Sequence, residues 1–166
     1  MVTLYNVVSS DWYIARKDGS EDFIPDELWP VTLDVFKKFD VLVMGRKTYE
    51  TLQSYEKDLL EPFERLAIKK IVISRNSNLK IKSGYTVART PEDAIAHGSN
   101  ILVSTGPILN NYLLEKKLVD KVIFHQIPIV ISEGIPVFDQ HHHSALVLQS
   151  EAELRSVKEI KYQVKK

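Results

Sequence analysis

The sequence feature that most constrains the fold is a buried strand that ends at a glycine and leads directly into a helix. The stretch VLVMGRKTYETL, residues 41–52, begins with a continuous apolar run, as expected for a strand covered on both faces. Gly45 then allows unusual backbone conformations and close ligand approach. A helix that begins there leaves N–H groups unpaired, and these attract anions. The alternative is a tight turn followed by solvated cations, and we weigh the two equally.

Two later segments repeat the pattern. The strand at 70–74 ends in Ser74-Arg75-Asn76, whose hydroxyl, guanidinium and amide suit a phosphate, although such residues also form ordinary turns. The strand at 100–104 leads into Thr105-Gly106 before a helix. Ligands of open α/β sheets bind at the carboxyl ends of strands. Together the junctions are compatible with one extended ligand that carries a diphosphate.

Composition narrows the classes of partner. The 166 residues suit a single domain, 1–166, and the 22 basic residues balance the 22 acidic ones. We therefore expect a small-molecule partner and no binding to nucleic acid or membrane. Cysteine is absent, which excludes disulfides and thiolate chemistry. The N-terminal stretch lacks the features of a secretion signal, so we expect a cytoplasmic protein.

Hydrophobic periodicity predicts alternating strands and helices, followed by strands alone. The predicted strands are 2–8, 40–44, 70–74, 85–88, 100–104, 119–131 with a break at Pro128, 145–149 and 157–164. The predicted helices are 27–38, 46–60, 91–96 and 107–117, and 9–26 is predicted to be a long loop. This order indicates an α/β fold with a mostly parallel sheet and an antiparallel C-terminal edge.

Several of these segments carry a family resemblance. They are VMGRKTYE at 43–50, Ser74-Arg75-Asn76, the junction at 103–106, LVDK at 118–121 and GIPVF at 134–138. The chain resembles the dihydrofolate reductase-like superfamily and looks closest to the C-terminal reductase domain of the riboflavin-biosynthesis deaminase-reductases. The resemblance implies a central mixed, mostly parallel sheet flanked by helices, and NADPH as hydride donor.

By position, the resemblance implies a set of cofactor-binding residues: Ile14, Ala15, Gly45, Arg46, Lys47, Thr48, Ser74, Arg75, Thr105 and Gly106. Arg46, Ser74 and Arg75 would contact the adenosine 2′-phosphate. The backbone at Thr105 and Gly106 would lie under the pyrophosphate and the nicotinamide. Ile14 and Ala15 would line the nicotinamide pocket.

The chain also departs from the family. A paired glycine is replaced by Thr105-Gly106, so we expect a Cβ to intrude on the cofactor. Trp12 stands where the riboflavin branch has glycine, and we expect its indole to reshape the substrate mouth. Thr32 lies near the position at which folate reductases carry a carboxylate, which disfavours a pterin substrate.

The remaining candidates each have a structural alternative. Asp11 is the candidate catalytic residue, as a proton relay or a partner for a substrate hydroxyl, and the alternative is a loop cap. Trp29 and Thr32 are candidate substrate-binding residues, although Trp29 is as readily a packing residue. We predict no metal site. The run 141–143 is three histidines, and neighbouring residues on a strand point to opposite sides, so we interpret it as a solvated loop.

These observations predict an NADPH-dependent reductase of a small heterocyclic substrate, most like 5-amino-6-(5-phosphoribosylamino)uracil reductase. Two alternatives stay open: a dihydrofolate reductase proper, and a catalytically reduced homologue that binds cofactor or regulates. The apolar segment 121–131 also suggests a homodimer interface.

Overall fold

A computed structural model describes residues 1–166, in which ten strands and five α-helices follow one another along the chain. The strands are β1 (Val2–Val8), β2 (Tyr13–Ala15), β3 (Val41–Gly45), β4 (Lys69–Ile73), β5 (Tyr85–Ala88), β6 (Ile101–Ser104), β7 (Lys121–Gln126), β8 (Ile135–Pro136), β9 (Leu146–Leu154) and β10 (Val157–Val164). The helices are α1 (Trp29–Phe36), α2 (Arg46–Gln53), α3 (Lys57–Glu64), α4 (Pro91–Ile95) and α5 (Pro107–Glu115). Short 3₁₀ helices occupy Asp26–Leu28 and Gln140–Ala145.

Eight strands form the central sheet, in the order β5-β4-β3-β6-β1-β7-β10-β9. The first six are parallel to one another, and β10 and β9 close the sheet with antiparallel pairing. A separate antiparallel pair joins β2 to β8. The predicted fold class, a mostly parallel sheet with an antiparallel C-terminal edge, is confirmed.

Some element boundaries differ from the sequence prediction. The predicted helix at 46–60 is two helices, since α2 ends at Gln53 and the Ser54 hydroxyl bonds the Thr51 carbonyl before α3 begins. The predicted strand at 119–131 is confined to β7. The predicted strand at 145–149 extends through β9, whose residues are almost all exposed and so show no apolar alternation. The predicted loop at 9–26 contains β2.

The sheet is packed by helices on both faces. On one face, Tyr5, Met44 and Phe63 belong to a cluster that α1, α2 and α3 complete. On the other face, Val43 and Phe124 belong to a larger cluster that α4 and α5 complete. Every residue of β3 is buried, because this strand lies in the interior of the sheet and is covered on both sides.

β7 is also an interior strand, paired with β1 on one side and β10 on the other. Its apolar side chains Val122 and Phe124 are fully buried within the monomer. Other apolar residues of the segment 121–131 are not fully buried: Ile123 is half-buried, and Ile129 and Val130 are exposed, so a homodimer interface there stays a prediction. The exposed edge of the sheet is β9, where Val147 and Leu148 are exposed.

A chain of buried polar groups crosses the core beneath α1. The Tyr5 hydroxyl lies 3.0 Å from Thr32 Oγ1 and 2.9 Å from His125 Nδ1. His125 Nε2 lies 3.3 Å from Glu159 Oε2, and Glu159 pairs with Lys161. Burial lowers the pKa of His125, although Glu159 acts in the opposite direction. His125 is 0% exposed and has a polar partner at each ring nitrogen, so it is a paired residue of the core.

None of the helices combines the length and the apolar character that a membrane crossing requires.

We expect Tyr5→Phe to lower the free energy of unfolding by about 1–3 kcal/mol, because it strips a partner from two buried polar groups, Thr32 and His125. Urea denaturation followed by circular dichroism measures the change. The matched control is Tyr13→Phe. Tyr13 is half-buried, and its hydroxyl makes no hydrogen bond to another residue. Equal stability of Tyr5→Phe and Tyr13→Phe would contradict this prediction.

Candidate functional site

The carboxyl ends of three neighbouring strands, β4, β3 and β6, lie side by side and form one edge of the sheet. β3 pairs in parallel with β4 on one side and β6 on the other, so Gly45 is opposite Ile73 and Met44 is opposite Ser104. The three predicted junctions follow these strands directly. The structure therefore brings Gly45, Ser74 and Thr105 to adjacent positions, where one elongated ligand can reach all of them.

Two helices begin at this edge without a side-chain cap. The residue before α2 is Gly45 and the residue before α5 is Gly106, and neither helix start is capped by a side chain. In contrast, Thr90 caps α4 by accepting a hydrogen bond from the Asp93 amide. The first-turn amides of α2 and α5 thus remain available to an anion, whose charge the helix dipoles favour.

The two glycines serve different purposes, and neither needs an unusual backbone conformation. Gly45 has φ of −78° and Gly106 has φ of −88°, so the predicted conformational role of Gly45 is wrong. A Cβ on Gly45 would lie 3.2 Å from Leu109 Cδ1, so a side chain there would require this leucine of α5 to shift by a few tenths of an ångström. A Cβ on Gly106 would meet nothing within 4 Å. Gly106 therefore borders open space that a ligand can enter.

Thr105 turns its side chain into the protein. Its hydroxyl donates to Asn110 Oδ1 at 2.6 Å, and its carbonyl accepts from Asn6 Nδ2 at 2.9 Å and from Asn110 Nδ2 at 3.2 Å. The expected intrusion of a Cβ on the cofactor side is wrong, because the residue is 3% exposed and held inward. Sequence reasoning missed Asn6 and Asn110; the available signal was an amide inside an apolar strand and another inside an apolar helix face.

The cationic side chains at this edge differ in whether an acidic side chain already pairs with them. Arg46 pairs with Glu50 one turn along α2, at 2.7 Å. Lys47 and Arg75 are exposed and make no ion pair. An additional arginine that sequence reasoning missed, Arg89, follows β5 and donates to the carbonyls of residues 74 and 76. Arg89 thus fixes the loop after β4 and adds positive charge beside it.

Hydroxyl groups lie beside these cations at the ends of β3 and β4. Ser74 is buried, and its Oγ accepts a hydrogen bond from the Asn76 amide at 3.2 Å. Its own proton therefore remains available to an anion. Thr48 is half-buried in the first turn of α2, on the helix that follows Gly45.

The predicted nicotinamide residues lie on the small sheet. Ile14 is half-buried against the larger core cluster, and Ala15 is buried in β2 where it pairs with β8. The pairing requires Gly134, because a Cβ there would collide with the Ala15 carbonyl oxygen. β2 is thereby held against β8 and the residue before it.

Asp11 joins the loop after β1 to residues 131–132 by hydrogen bonds. Its carboxylate accepts from Ser9 Oγ at 2.7 Å and from the amides of Ile131 and Ser132 at 3.2 and 2.8 Å. Partial burial opposes ionisation, yet these hydrogen bonds lower the pKa of Asp11. The geometry favours the loop-cap alternative, and a catalytic role for Asp11 stays a prediction.

Trp12 keeps the left-handed backbone that glycine favours, with φ of 70°. Its indole packs edge-on against Phe124, with ring centroids 5.3 Å apart, and against His143 at 5.5 Å. The ring is therefore part of the core packing. The sequence had suggested instead that it reshapes the mouth of a substrate site.

Neither predicted substrate residue has a free polar group. Trp29 Nε1 donates to the Leu59 carbonyl at 2.7 Å, and its ring packs against Tyr55 and Phe63. The packing alternative for Trp29 therefore fits the contacts. Thr32 is buried, and its hydroxyl bonds Tyr5.

Two cavities lie near the antiparallel end of the sheet. One of about 220 Å³ lies beyond the carboxyl ends of β1 and β7, and its lining is mostly polar and includes Ser10, Gln126 and Lys158. A larger one of about 360 Å³ lies near Met1 and Lys121, at the opposite edge and away from the strand junctions. The smaller cavity therefore lies at the same carboxyl ends of the sheet as the three junctions.

This strand order, with helices on both faces and open helix starts at β3 and β6, defines the dihydrofolate reductase-like fold. Over its full length the chain superposes on dihydrofolate reductase from Enterococcus faecalis, complexed with NADP(H) and RAB-propyl, with a TM-score of 0.73 and 16% identity, covering 97% of that chain.

A protein from Shewanella sp. PV-4 named for riboflavin biosynthesis superposes with a TM-score of 0.75 and 22% identity, and 99% of each chain is covered. The deaminase/5-amino-6-(5-phosphoribosylamino)uracil reductase of Thermotoga maritima gives a TM-score of 0.71 and 14% identity; the match covers 99% of this chain and 56% of that one. In sequence, the chain is 28% identical over 147 residues to the uncharacterized protein YwjB of Bacillus subtilis (strain 168), covering 82% of each. No protein-family model matches the chain.

We expect Thr105→Val to destabilise the protein by about 1–3 kcal/mol, because it leaves the buried side-chain oxygen of Asn110, Oδ1, without its hydrogen-bond donor. Thr105→Ser keeps the hydroxyl and is the matched control. Thermal and urea unfolding measure both variants, and Thr105→Val as stable as Thr105→Ser would show that this hydrogen bond does not hold the junction.

Proposed function

We propose that the chain is an NADPH-dependent reductase that acts on a small heterocyclic substrate. The observation that carries the proposal is the pair of uncapped helix starts, α2 and α5, on the adjacent strands β3 and β6. A dinucleotide pyrophosphate is an anion of the right length and charge for two such neighbouring N-termini. The named relatives, which include an NADP(H) complex, support the same assignment.

The donor set fits a phosphorylated dinucleotide. Gly106 borders open space, so the backbone can approach a pyrophosphate closely. Lys47 and Arg75 are exposed cations without an acidic partner, and Ser74 offers a hydroxyl proton beside them. Breaking the surface ion pair between Arg46 and Glu50 costs little free energy, so Arg46 can bind the phosphate together with these groups. Charge-assisted hydrogen bonds of this kind select a 2′-phosphate and hence NADPH over NADH.

When bound, NADPH supplies the hydride, and the protein provides orientation and a dry environment. Ile14 and Ala15 offer an apolar wall, held in place by the β2–β8 pairing and by the Asp11 tie to the 131–132 turn. In this proposal Asp11 acts first on the shape of the loop, and a direct contact with substrate is secondary.

The substrate class is inferred from the site and from the named relatives. Thr32 takes the helix position near which folate reductases have a carboxylate, and its hydroxyl is already bonded to Tyr5. A pterin therefore lacks its partner, which favours a uracil-type heterocycle over dihydrofolate. The polar cavity of about 220 Å³ beside β1 and β7 offers Gln126 and Lys158 to such a substrate, whereas Trp29 contributes by packing α1 against α3.

A second candidate is a homologue that binds the cofactor without turnover. It is favoured by one observation: Asp11 and Thr32 both have their polar atoms engaged inside the protein. Oxidation of NADPH, followed at its absorbance maximum across a panel of uracils and pterins, separates the candidates. Turnover of a uracil supports the reductase proposal, and NADPH binding without any turnover supports the second candidate. A homodimer and a cytoplasmic location stay predictions.

The cofactor proposal is tested by titrating the protein with NADPH while energy transfer from tryptophan is recorded. We expect saturable binding at micromolar concentration. Failure to bind at millimolar NADPH would overturn both candidates, because each requires the cofactor.

We expect Arg75→Ala to weaken NADPH binding by about 10- to 100-fold, the size of a lost charge-assisted hydrogen bond, and to change NADH binding far less. The same titration with each nucleotide measures this difference. Arg65→Ala is the matched control, since Arg65 is an exposed arginine that lies before β4 rather than after it. Equal losses for NADPH and NADH would remove Arg75 from the 2′-phosphate.

We expect Gly106→Ala to leave stability unchanged within about 0.5 kcal/mol, because its φ suits alanine and the Cβ would enter open space. NADPH affinity should nevertheless fall by about tenfold, since the methyl group would occupy the position of the approaching pyrophosphate. Unfolding curves and NADPH titration are compared on the same preparation. Unchanged affinity would place the cofactor elsewhere.

A further inference from the structure

The histidine run is not a strand, and this changes what it can bind. Residues 140–145 form a 3₁₀ helix, so the argument that neighbours point to opposite sides does not apply. The rings of His141 and His142 lie nearly side by side, with centroids 4.0 Å apart and planes 40° apart. His143 instead packs against Trp12 and Phe138. Two of the three imidazoles therefore share one location.

The end of α5 brings a carboxylate to the same location. Glu115 is the last residue of α5. A carboxylate oxygen of Glu115 and one ring nitrogen each of His141 and His142 all lie within 4.8 Å of one another. One turn earlier, Asn111 Oδ1 accepts a hydrogen bond from the Asp139 amide at 2.8 Å. The same helix thus anchors the chain just before the histidine pair, so the approach of Glu115 is built into the fold.

The polar atoms of this cluster lack partners within the protein. The Nε2 atom of His142 is buried without a hydrogen-bond partner, on a residue that is 8% exposed. The side chains of Glu115 and His141 also make no hydrogen bond or ion pair with the rest of the protein. A buried imidazole nitrogen without a partner is costly unless something satisfies it. A cation bound between the three side chains would give the imidazoles a polar partner and would neutralise the carboxylate.

We propose that Glu115, His141 and His142 form a binding site for a borderline divalent cation of the zinc class. Two imidazole nitrogens and one carboxylate oxygen are a typical three-ligand set for Zn²⁺, with the fourth position left to water. The same donors also accept Ni²⁺ and Cu²⁺, whereas Mg²⁺ and Ca²⁺ prefer all-oxygen sites. Tetrahedral zinc requires donor atoms roughly 3.3 Å apart, which the exposed side chains of Glu115 and His141 reach by rotation.

Bound metal would clamp the 3₁₀ helix to the C-terminal end of α5, whose opposite end is the Gly106 junction.

The test is a titration of the full chain with Zn²⁺ by calorimetry, repeated with Co²⁺ to read its ligand-field absorption. We expect one equivalent to bind and to raise the melting temperature. Glu115→Gln and His141→Gln should each weaken binding at least about tenfold and remove most of the thermal shift, because each deletes a ligand. Both residues are exposed, so neither variant threatens folding.

His97→Gln is the matched control. His97 follows α4, and its ring lies beside Asp93 of that helix rather than beside Glu115 of α5. It should bind zinc as the unmodified protein does. Addition of a chelator should release the bound zinc and return the melting temperature to that of the metal-free protein. The proposal is overturned if zinc does not bind stoichiometrically, if Glu115→Gln and His141→Gln bind it unchanged, or if His97→Gln removes it. NADPH titration of the same variants separates this result from the cofactor proposal.

Discussion

The parallel pairing of β3 between β4 and β6 is the constraint on which the rest of the molecule depends. Parallel strands require crossovers, and each crossover helix begins at the same edge of the sheet. Because β3 is buried on both faces, its register is fixed, and Gly45 must lie between the ends of its two neighbours. The proposed phosphate-binding edge is therefore a consequence of strand order. No single side chain has to reach across the sheet to create it.

What holds this edge rigid is a small buried polar network rather than apolar packing alone. Asn110 donates to the carbonyls of Thr105 and Val137 and to Asn6 Oδ1, and accepts from the Thr105 hydroxyl. It thereby joins β1, β6, α5 and the segment after β8. A fully satisfied network of this kind specifies one arrangement, because any other leaves amides unpaired in the core. The loop after β1 gains similar definition from Asp11, which ties it to residues 131–132.

The sequence predicted those parts of the fold that local patterns encode. The ends of β5 and β10 and the start of α5 follow apolar periodicity and turn chemistry, and the fold family follows from the VMGRKTYE segment. The break between α2 and α3 was missed because the apolar spacing continues across it, and the full length of β9 was missed because its mostly exposed residues show no apolar alternation. The side-chain partners of Thr105 and Asp11 were missed for another reason. They lie far apart in sequence, and hydrogen bonds over such separations have no local signature.

The reversals at Thr105 and the histidine run share a physical cause. A residue type sets what a side chain is able to do, but the backbone beneath it sets the direction in which it does so. Thr105 replaces a glycine, yet its hydroxyl turns inward because Asn110 offers a buried acceptor at 2.6 Å. His141 and His142 would diverge on a strand, yet the 3₁₀ helix at 140–145 brings their rings to 4.0 Å. Both changes leave the proposed phosphate-binding edge open, because Thr105 points away from it and the histidines lie at the far end of α5.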